Sequence, residues 1–174
     1  MKKITAYETA LAALACAFAT IFLTVGIYSN VLLLTGYLFS GIALMLPLAK
    51  KSYRGYILAY LATCLLSLLF SLSRFFDLLP FILFFGLHPL VNELQLKYKF
   101  NRWLAYFLKA AWFDGAMYLT WRFVFQMTTP IPFVDKYFLP ILLIGGTAFF
   151  FVYDYITYKC RYTVNLIVNR LIKK

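Results

Sequence analysis

The sequence predicts an all-α membrane protein, a bundle of six transmembrane helices with both termini in the cytoplasm. Three observations lead to this fold class. The chain is 64% hydrophobic and only 13% charged, which leaves too little polar surface to coat a soluble domain of this size. Six apolar stretches of about 20 residues fill the chain, and each can cross the hydrocarbon layer of about 30 Å. The connections between these stretches alternate between basic and nearly neutral.

The distribution of positive charge predicts the orientation. Fourteen basic residues lie on one side of the predicted bundle: Lys2, Lys3, Lys50, Lys51, Arg54, Lys97, Lys99, Arg102, Lys109, Lys159, Arg161, Arg170, Lys173 and Lys174. The opposite connections hold only Arg74 and Lys136, and Arg122 lies inside a span. Because cytoplasmic loops carry the excess of Lys and Arg, we expect both termini in the cytoplasm and the protein in the cell membrane.

The net charge of +11 would suggest a nucleic-acid partner in a soluble protein. Here the basic residues form clusters beside apolar spans, where they set topology and face anionic lipid. We therefore expect contact with the lipid bilayer and no nucleic-acid partner.

The predicted spans follow one another with short connections and form a single membrane domain over residues 1–174. In chain order they cover about 5–27, 31–49, 53–72, 75–91, 103–127 and 137–158, and a basic cytoplasmic tail follows at 159–174. The second span ends at Pro47 and a pair of lysines. The fourth is the weakest, because Pro80, Gly86 and Pro89 interrupt it, and a proline removes a backbone donor. A membrane tolerates such a break only where protein or water satisfies the freed carbonyls.

Small residues repeat along one face of the first span. The spacings of four, three and four residues place them in one row: Ala6, Ala10, Ala13 and Ala17. A second row of Ala12, Ala15 and Ala19 lies beside it. Small residues allow two membrane helices to approach closely. The first row is therefore either a packing face for the neighbouring helices of this chain or a docking face for a separate membrane subunit.

Two ionisable residues lie within the fifth span. Asp114 is near its middle, and Arg122 follows two turns later on the same face. A charge near the bilayer centre costs about 2.5–3.5 kcal/mol on insertion scales, so both side chains are expected to point into the bundle. They are separated by about 12 Å of helix. Two interpretations stay open: a structural ion pair with another span, or a pair that contacts a substrate.

The remaining polar residues indicate no catalytic or metal site. His88 is the one histidine of the chain, so we expect a packing histidine without a metal or other cofactor. Asp154 is expected to pair with Lys159 or a cytoplasmic arginine. The three cysteines include no CxxC pair, which argues against a disulfide framework. No catalytic sequence motif is present, and we do not expect an enzyme.

Three segments and the six-span layout resemble a known family. Residues 8–15 begin the first helix with an alanine-rich run, residues 42–56 form a helix, a basic turn and a helix that re-enters at Gly55, and residues 145–154 carry a Gly-Gly pair and end in Tyr-Asp before a basic tail. The layout resembles the S component of an energy-coupling factor (ECF) transporter. In that family the first helix docks on a transmembrane coupling subunit, which two ATPase subunits drive.

The resemblance implies a function. The chain would bind a small micronutrient from the outer side and release it inward while docked on the coupling subunit. The implied substrate-binding residues are Asn30, Arg74, Asp114, Trp121, Arg122 and Gln126, and the implied docking residues are Ala6, Ala10, Ala13 and Ala17. The alternative function is that of a non-transport membrane scaffold or assembly protein, in envelope or lipid metabolism. An intramembrane enzyme is the least favoured class.

Overall fold

The computed structural model describes residues 5–29, 31–125 and 132–172. These residues form helices and no strand, which confirms the all-α prediction. The α-helices are α1 (Ala6–Tyr28), α2 (Leu33–Leu48), α3 (Tyr53–Phe70), α4 (His88–Lys97), α5 (Arg102–Thr120), α6 (Pro132–Ile141) and α7 (Thr147–Ile172). A 3₁₀ segment covers Leu72–Leu78, and π-helical turns cover Phe81–Phe85, Trp121–Phe125 and Leu142–Gly146.

Several helices are long and apolar enough to cross a membrane. In the described part of the chain these are Ala6–Tyr28, Tyr53–Phe70 and the continuous Lys136–Arg170, and a fourth span results if the pair Leu72–Leu78 and Phe81–Lys97, bent by 48°, counts as one. Six spans are therefore not established. Helix α2 has only 16 residues, about 24 Å of helix, and α5 carries two charged residues in its interior.

The last predicted span is longer than expected. The sequence predicted a helix over 137–158 with a separate tail, whereas the apolar helix continues to Arg170. Its 35 residues measure about 52 Å, more than a bilayer core requires. The extension is held by Val164 and Val168, which are buried against Leu11 of α1 and Met45 of α2.

Helices α1 and α2 cross at two glycines. A Cβ atom built on Gly26 would lie 2.9 Å from the Cα of Gly36, so the backbones touch where both residues lack a side chain. Ser40 of α2 donates a hydrogen bond of 2.9 Å to the carbonyl of Ala19. A Thr5–Glu8 capping box starts α1. This crossing uses the second alanine row, since Ala15 and Ala19 are fully buried.

The segment from Leu72 to Lys97 is interrupted where the sequence predicted, at Pro80, Gly86 and Pro89. The bend of 48° lies between Leu78 and Phe81, beside Pro80. Pro89 has no N–H to donate to the carbonyl of Phe85. At Gly86 the chain forms a π turn, in which the N–H of Gly86 donates to the carbonyl of Phe81. That bond leaves the carbonyl of Ile82 without its ordinary α-helical partner.

Tyrosine hydroxyls donate hydrogen bonds to the carbonyls that lack helical partners around Gly86 and Pro89. Tyr60 of α3 donates to the carbonyl of Ile82 at 2.8 Å. Tyr56 of α3 donates to the carbonyl of Gly86, and Tyr153 of α7 donates to that of Phe85 at 3.5 Å. Side chains of α3 and α7 thus fix the broken segment in the bundle. In an apolar environment, carbonyls without helical partners need such donors from the protein.

The core of the bundle is an aromatic cluster centred on Phe84. This ring is fully buried and contacts the rings of Trp112 and Phe113 of α5 and of Phe150 of α7. The centroid distances of 4.8 to 6.0 Å fit tilted and edge-to-face packing. The cluster joins α5 and α7 to the broken segment and forms the apolar layer beneath a buried polar group.

Three basic segments meet at one end of the bundle, which we call the basic end: the 49–52 turn, the 98–101 turn and α7 beyond residue 159. Lys50 donates to Oδ1 of Asn169 at 3.1 Å, and the Lys97 ammonium lies 4.6 Å from the ring centroid of Tyr53. At the opposite end, Tyr28 of α1 donates to the carbonyl of Phe70 of α3. The fold therefore collects residues of the basic connections on one side, as the charge pattern predicted.

Candidate functional site: a buried polar cluster and its cavity

A buried polar cluster converges on one carboxylate oxygen, Oδ1 of Asp154. Lys109 donates to this atom at 2.8 Å and Asn92 donates at 3.2 Å. Nε2 of His88 lies 2.9 Å from the same oxygen, but the angle between the two groups does not suit a hydrogen bond. Lys109 also donates to Oδ1 of Asn92 at 2.9 Å. His88 is 0% exposed, and Lys109 and Asp154 are each 5% exposed.

Three helices supply these side chains. His88 and Asn92 are four residues apart on α4 and therefore share a face, while Lys109 comes from α5 and Asp154 from α7. The side chain of Thr157 donates to the carbonyl of Asp154 one turn earlier. Burying the Lys109 ammonium is expensive unless it is paired, so the carboxylate and the amide are the groups that allow the cation to stay inside.

The polar cluster borders a cavity of about 550 Å³. This volume lies within the ordinary range of small-molecule sites. The cavity lies between α4, α5 and α7 at the basic end. Its lining is basic, amide-bearing and aromatic: Asn92, Gln95, Leu96, Lys99, Phe100, Arg102, Tyr106, Lys109, Phe151, Asp154, Tyr155 and Tyr158.

Cations gather around one ring of this cavity. The Lys109 ammonium lies 4.9 Å and the Arg102 guanidinium 5.5 Å from the centroid of the Tyr106 ring. Arg102 also donates to the Tyr106 hydroxyl at 3.2 Å. Chemically, the arrangement provides hydrogen-bond donors and aromatic surface for binding.

A second, apolar groove of about 310 Å³ contains one predicted substrate-binding residue, Trp121. Its indole stacks on Phe138 at 4.8 Å, and Phe113, Leu142 and Gly146 also line the groove. Almost all of its lining is apolar, so it offers shape and contact area rather than polar recognition.

The other predicted binding residues do not converge on this groove. Arg122 is exposed, whereas the sequence predicted that its side chain points into the bundle. Asp114 is half-buried, and its Oδ2 accepts a hydrogen bond of 3.1 Å from Thr147. Arg74 donates to the carbonyl of Ile27 at 2.7 Å, near the end of α1, where carbonyls lack helical partners. Asn30 and Gln126 lie outside the described residues.

The alanine row predicted for docking is uncovered. Its four members, Ala6, Ala10, Ala13 and Ala17, are all exposed. Ala13 and Ala17 form one wall of a groove of about 380 Å³, and Gly55, Ala59 and Ala62 of α3 lie opposite. Among the residues that the structure describes, none covers the first row, so it does not serve there as a packing face.

The sequence did not predict the buried polar cluster. Asp154 was expected to pair with Lys159 or a cytoplasmic arginine, which is wrong: it pairs with Lys109, and the Lys159 ammonium instead lies 4.8 Å from the Tyr155 ring centroid. The available signal was the shared face of His88 and Asn92. Nothing in the sequence indicated that Lys109, just inside the predicted fifth span, would point into the bundle.

Within the described ranges, no three His, Cys, Asp or Glu residues are grouped as metal ligands would be. Comparisons with protein-family models, with curated proteins and with solved structures give no match. They identify no family, and the resemblance to ECF S components stays an expectation from the sequence.

Proposed function

We propose that the chain is a multi-pass protein of the cell membrane that binds a small micronutrient and docks on a separate transmembrane coupling subunit with ATPase subunits. Both termini lie in the cytoplasm in this proposal. It follows the function that the resemblance to ECF S components implies. The observation that carries it is the uncovered alanine row of α1.

The alanine row has the chemistry of a helix-docking surface. Between membrane helices there is no hydrophobic driving force, so association depends on close packing, which small residues permit. The neighbouring row is already used, because Ala15 and Ala19 are buried within the bundle. The exposed Ala13 and Ala17 face a groove whose other wall is also lined by small residues. A partner helix could approach the backbones of both α1 and α3 there.

The basic end supports the proposed orientation. It brings basic residues of two turns and of α7 to one side of the bundle, and cytoplasmic segments carry such an excess. The same end would face anionic lipid headgroups.

Replacing Ala13 tests the docking proposal. The tagged chain, purified from its native membranes, should retain a polytopic subunit together with ATP-binding subunits. Ala13→Trp should lose them, because the indole fills the groove, while thermal stability and ligand binding of the isolated protein stay unchanged.

Ala148→Trp is the matched control, since Ala148 is an exposed alanine on α7. This variant should retain the partners. Retention of the partners by Ala13→Trp, or the absence of ATP-binding subunits from the unsubstituted preparation, would reject the proposal.

A non-transport membrane protein, acting in envelope or lipid metabolism, is the second candidate. It is favoured by the position of the cavity of about 550 Å³, which lies at the basic end rather than at the outer end where the resemblance places the substrate. A native mass spectrum of the purified protein separates the two functions. A retained micronutrient supports uptake, and a retained lipid supports the second candidate.

A further inference from the structure

We infer that the cavity between α4, α5 and α7 is a binding site for a phosphate group. The group belongs either to an anionic lipid headgroup or to a soluble phosphate compound. The inference does not rest on the alanine row, which lies on α1, and it holds whether or not the chain docks on a partner.

The charges of the cavity favour a bound anion. Lys99, Arg102 and Lys109 line it together with a single carboxylate, that of Asp154. This carboxylate is already engaged, because Oδ1 accepts from Lys109 and Asn92 and lies beside His88. Its charge therefore offsets that of Lys109. The two further cations, Lys99 and Arg102, are exposed and have no carboxylate beside them in the lining. They leave the cavity with a net positive charge, which attracts an anion.

The donors suit a phosphate. A guanidinium offers a planar fork of N–H groups for two phosphate oxygens, and an ammonium acts as a compact point charge. Arg102 already lies beside the Tyr106 ring, which limits the directions that its fork can take. Lys99 is exposed in the 98–101 turn, where its flexible side chain can bring the ammonium to the phosphate.

The remaining walls fit what a phosphate group carries. Phe100, Phe151, Tyr155 and Tyr158 provide aromatic surface, against which an acyl chain or a ring can pack. A basic pocket between helices on the cytoplasmic side is a recognised setting for lipid headgroups. The cavity has this composition and lies at the basic end.

The variant Lys99→Gln/Arg102→Gln tests the inference, since both residues are exposed and the buried cluster stays intact. The control is Lys51→Gln/Arg54→Gln, which removes the same charge from the basic end. The match extends to the backbone, because Lys51 and Lys99 have φ of 56° and 50°. Arg54 and Arg102 are both exposed near the start of the following helix.

Two probes distinguish the sources of phosphate. In mixed micelles of phosphatidylglycerol and phosphatidylcholine, native mass spectrometry counts bound phosphatidylglycerol. In detergent alone, the melting temperature is followed as inorganic phosphate replaces chloride at constant ionic strength. At least one of these two ligands should bind equally to the unsubstituted protein and to the control variant. The same ligand should bind at least tenfold more weakly to Lys99→Gln/Arg102→Gln.

Binding of phosphatidylglycerol without an effect of inorganic phosphate assigns the site to a lipid headgroup. Stabilisation by inorganic phosphate assigns it to a soluble compound. Equal weakening in both double variants would show general surface attraction and overturn the inference. Absence of binding with both probes would overturn it as well.

Discussion

Removing the negative charge of Asp154 should strongly destabilise the bundle. The Asp154→Asn substitution keeps the size of the side chain and an oxygen acceptor, but it leaves the buried Lys109 ammonium without a counter-charge. Two unit charges 2.8 Å apart attract by about 6 kcal/mol at an effective dielectric constant of about 20. The amide oxygen of the new Asn can still accept a hydrogen bond from Lys109, and Lys109 still donates to Oδ1 of Asn92. We therefore expect a loss of about 3–5 kcal/mol in the free energy of unfolding.

The assay is reversible denaturation of the purified protein in mixed micelles, followed by circular dichroism. Asp114→Asn is the matched control, because the Asp114 carboxylate is half-buried and accepts from Thr147, a bond that an amide oxygen can replace. No ion pair involves Asp114 among the described residues. Its substitution should cost less than about 1 kcal/mol.

A double-mutant cycle isolates the pair. Lys109→Met removes the cation and leaves Asp154 with His88 and Asn92. Combined with Asp154→Asn, it should recover at least about 2 kcal/mol relative to the sum of the two single losses. Additivity within about 0.5 kcal/mol, or a loss below about 1 kcal/mol in Asp154→Asn alone, would refute the argument that this carboxylate holds Lys109 inside.

Two further predictions concern the broken segment and the topology. Tyr60→Phe should lower the free energy of unfolding by about 1–2 kcal/mol, because the partly buried carbonyl of Ile82 loses its donor. Tyr162→Phe, at an exposed position, should have no effect, and equal losses in the two variants would contradict the capping role of Tyr60. On a background without the three native cysteines, a membrane-impermeant thiol reagent should label Thr129→Cys in intact cells and miss Asn101→Cys; labelling of Asn101→Cys would reverse the proposed orientation.

Local features of the sequence could be read correctly because their physical causes are local. The first and third helices follow from long apolar runs, which need no partner to be recognised. The bend of 48° in the segment 72–97 lies beside Pro80, and the irregular turn that follows lies at Gly86 and Pro89, where proline cannot donate a hydrogen bond. The charge pattern predicted that the basic connections share one side of the bundle. The orientation of the bundle relative to a membrane stays a prediction.

The predicted ends of the spans differ from the observed helix ends, because hydropathy does not determine where a helix ends. Helix α2 is shorter than its apolar run, and the predicted tail is part of α7. The difference at α7 is a packing effect, since Val164 and Val168 bury their side chains against α1 and α2. Neither valine is distinguishable in the sequence from an apolar residue of a free amphipathic tail.

The sequence by itself determined the helical class, the position of the break and the two alanine rows of α1. Only the tertiary structure decided which row is covered, since that depends on how α1 crosses α2 at Gly26 and Gly36. It also brought Lys109 to Asp154, which lies 45 residues further along the chain. The reason is that the energy of a buried charge depends on partners from other helices, and the order of residues does not specify those partners.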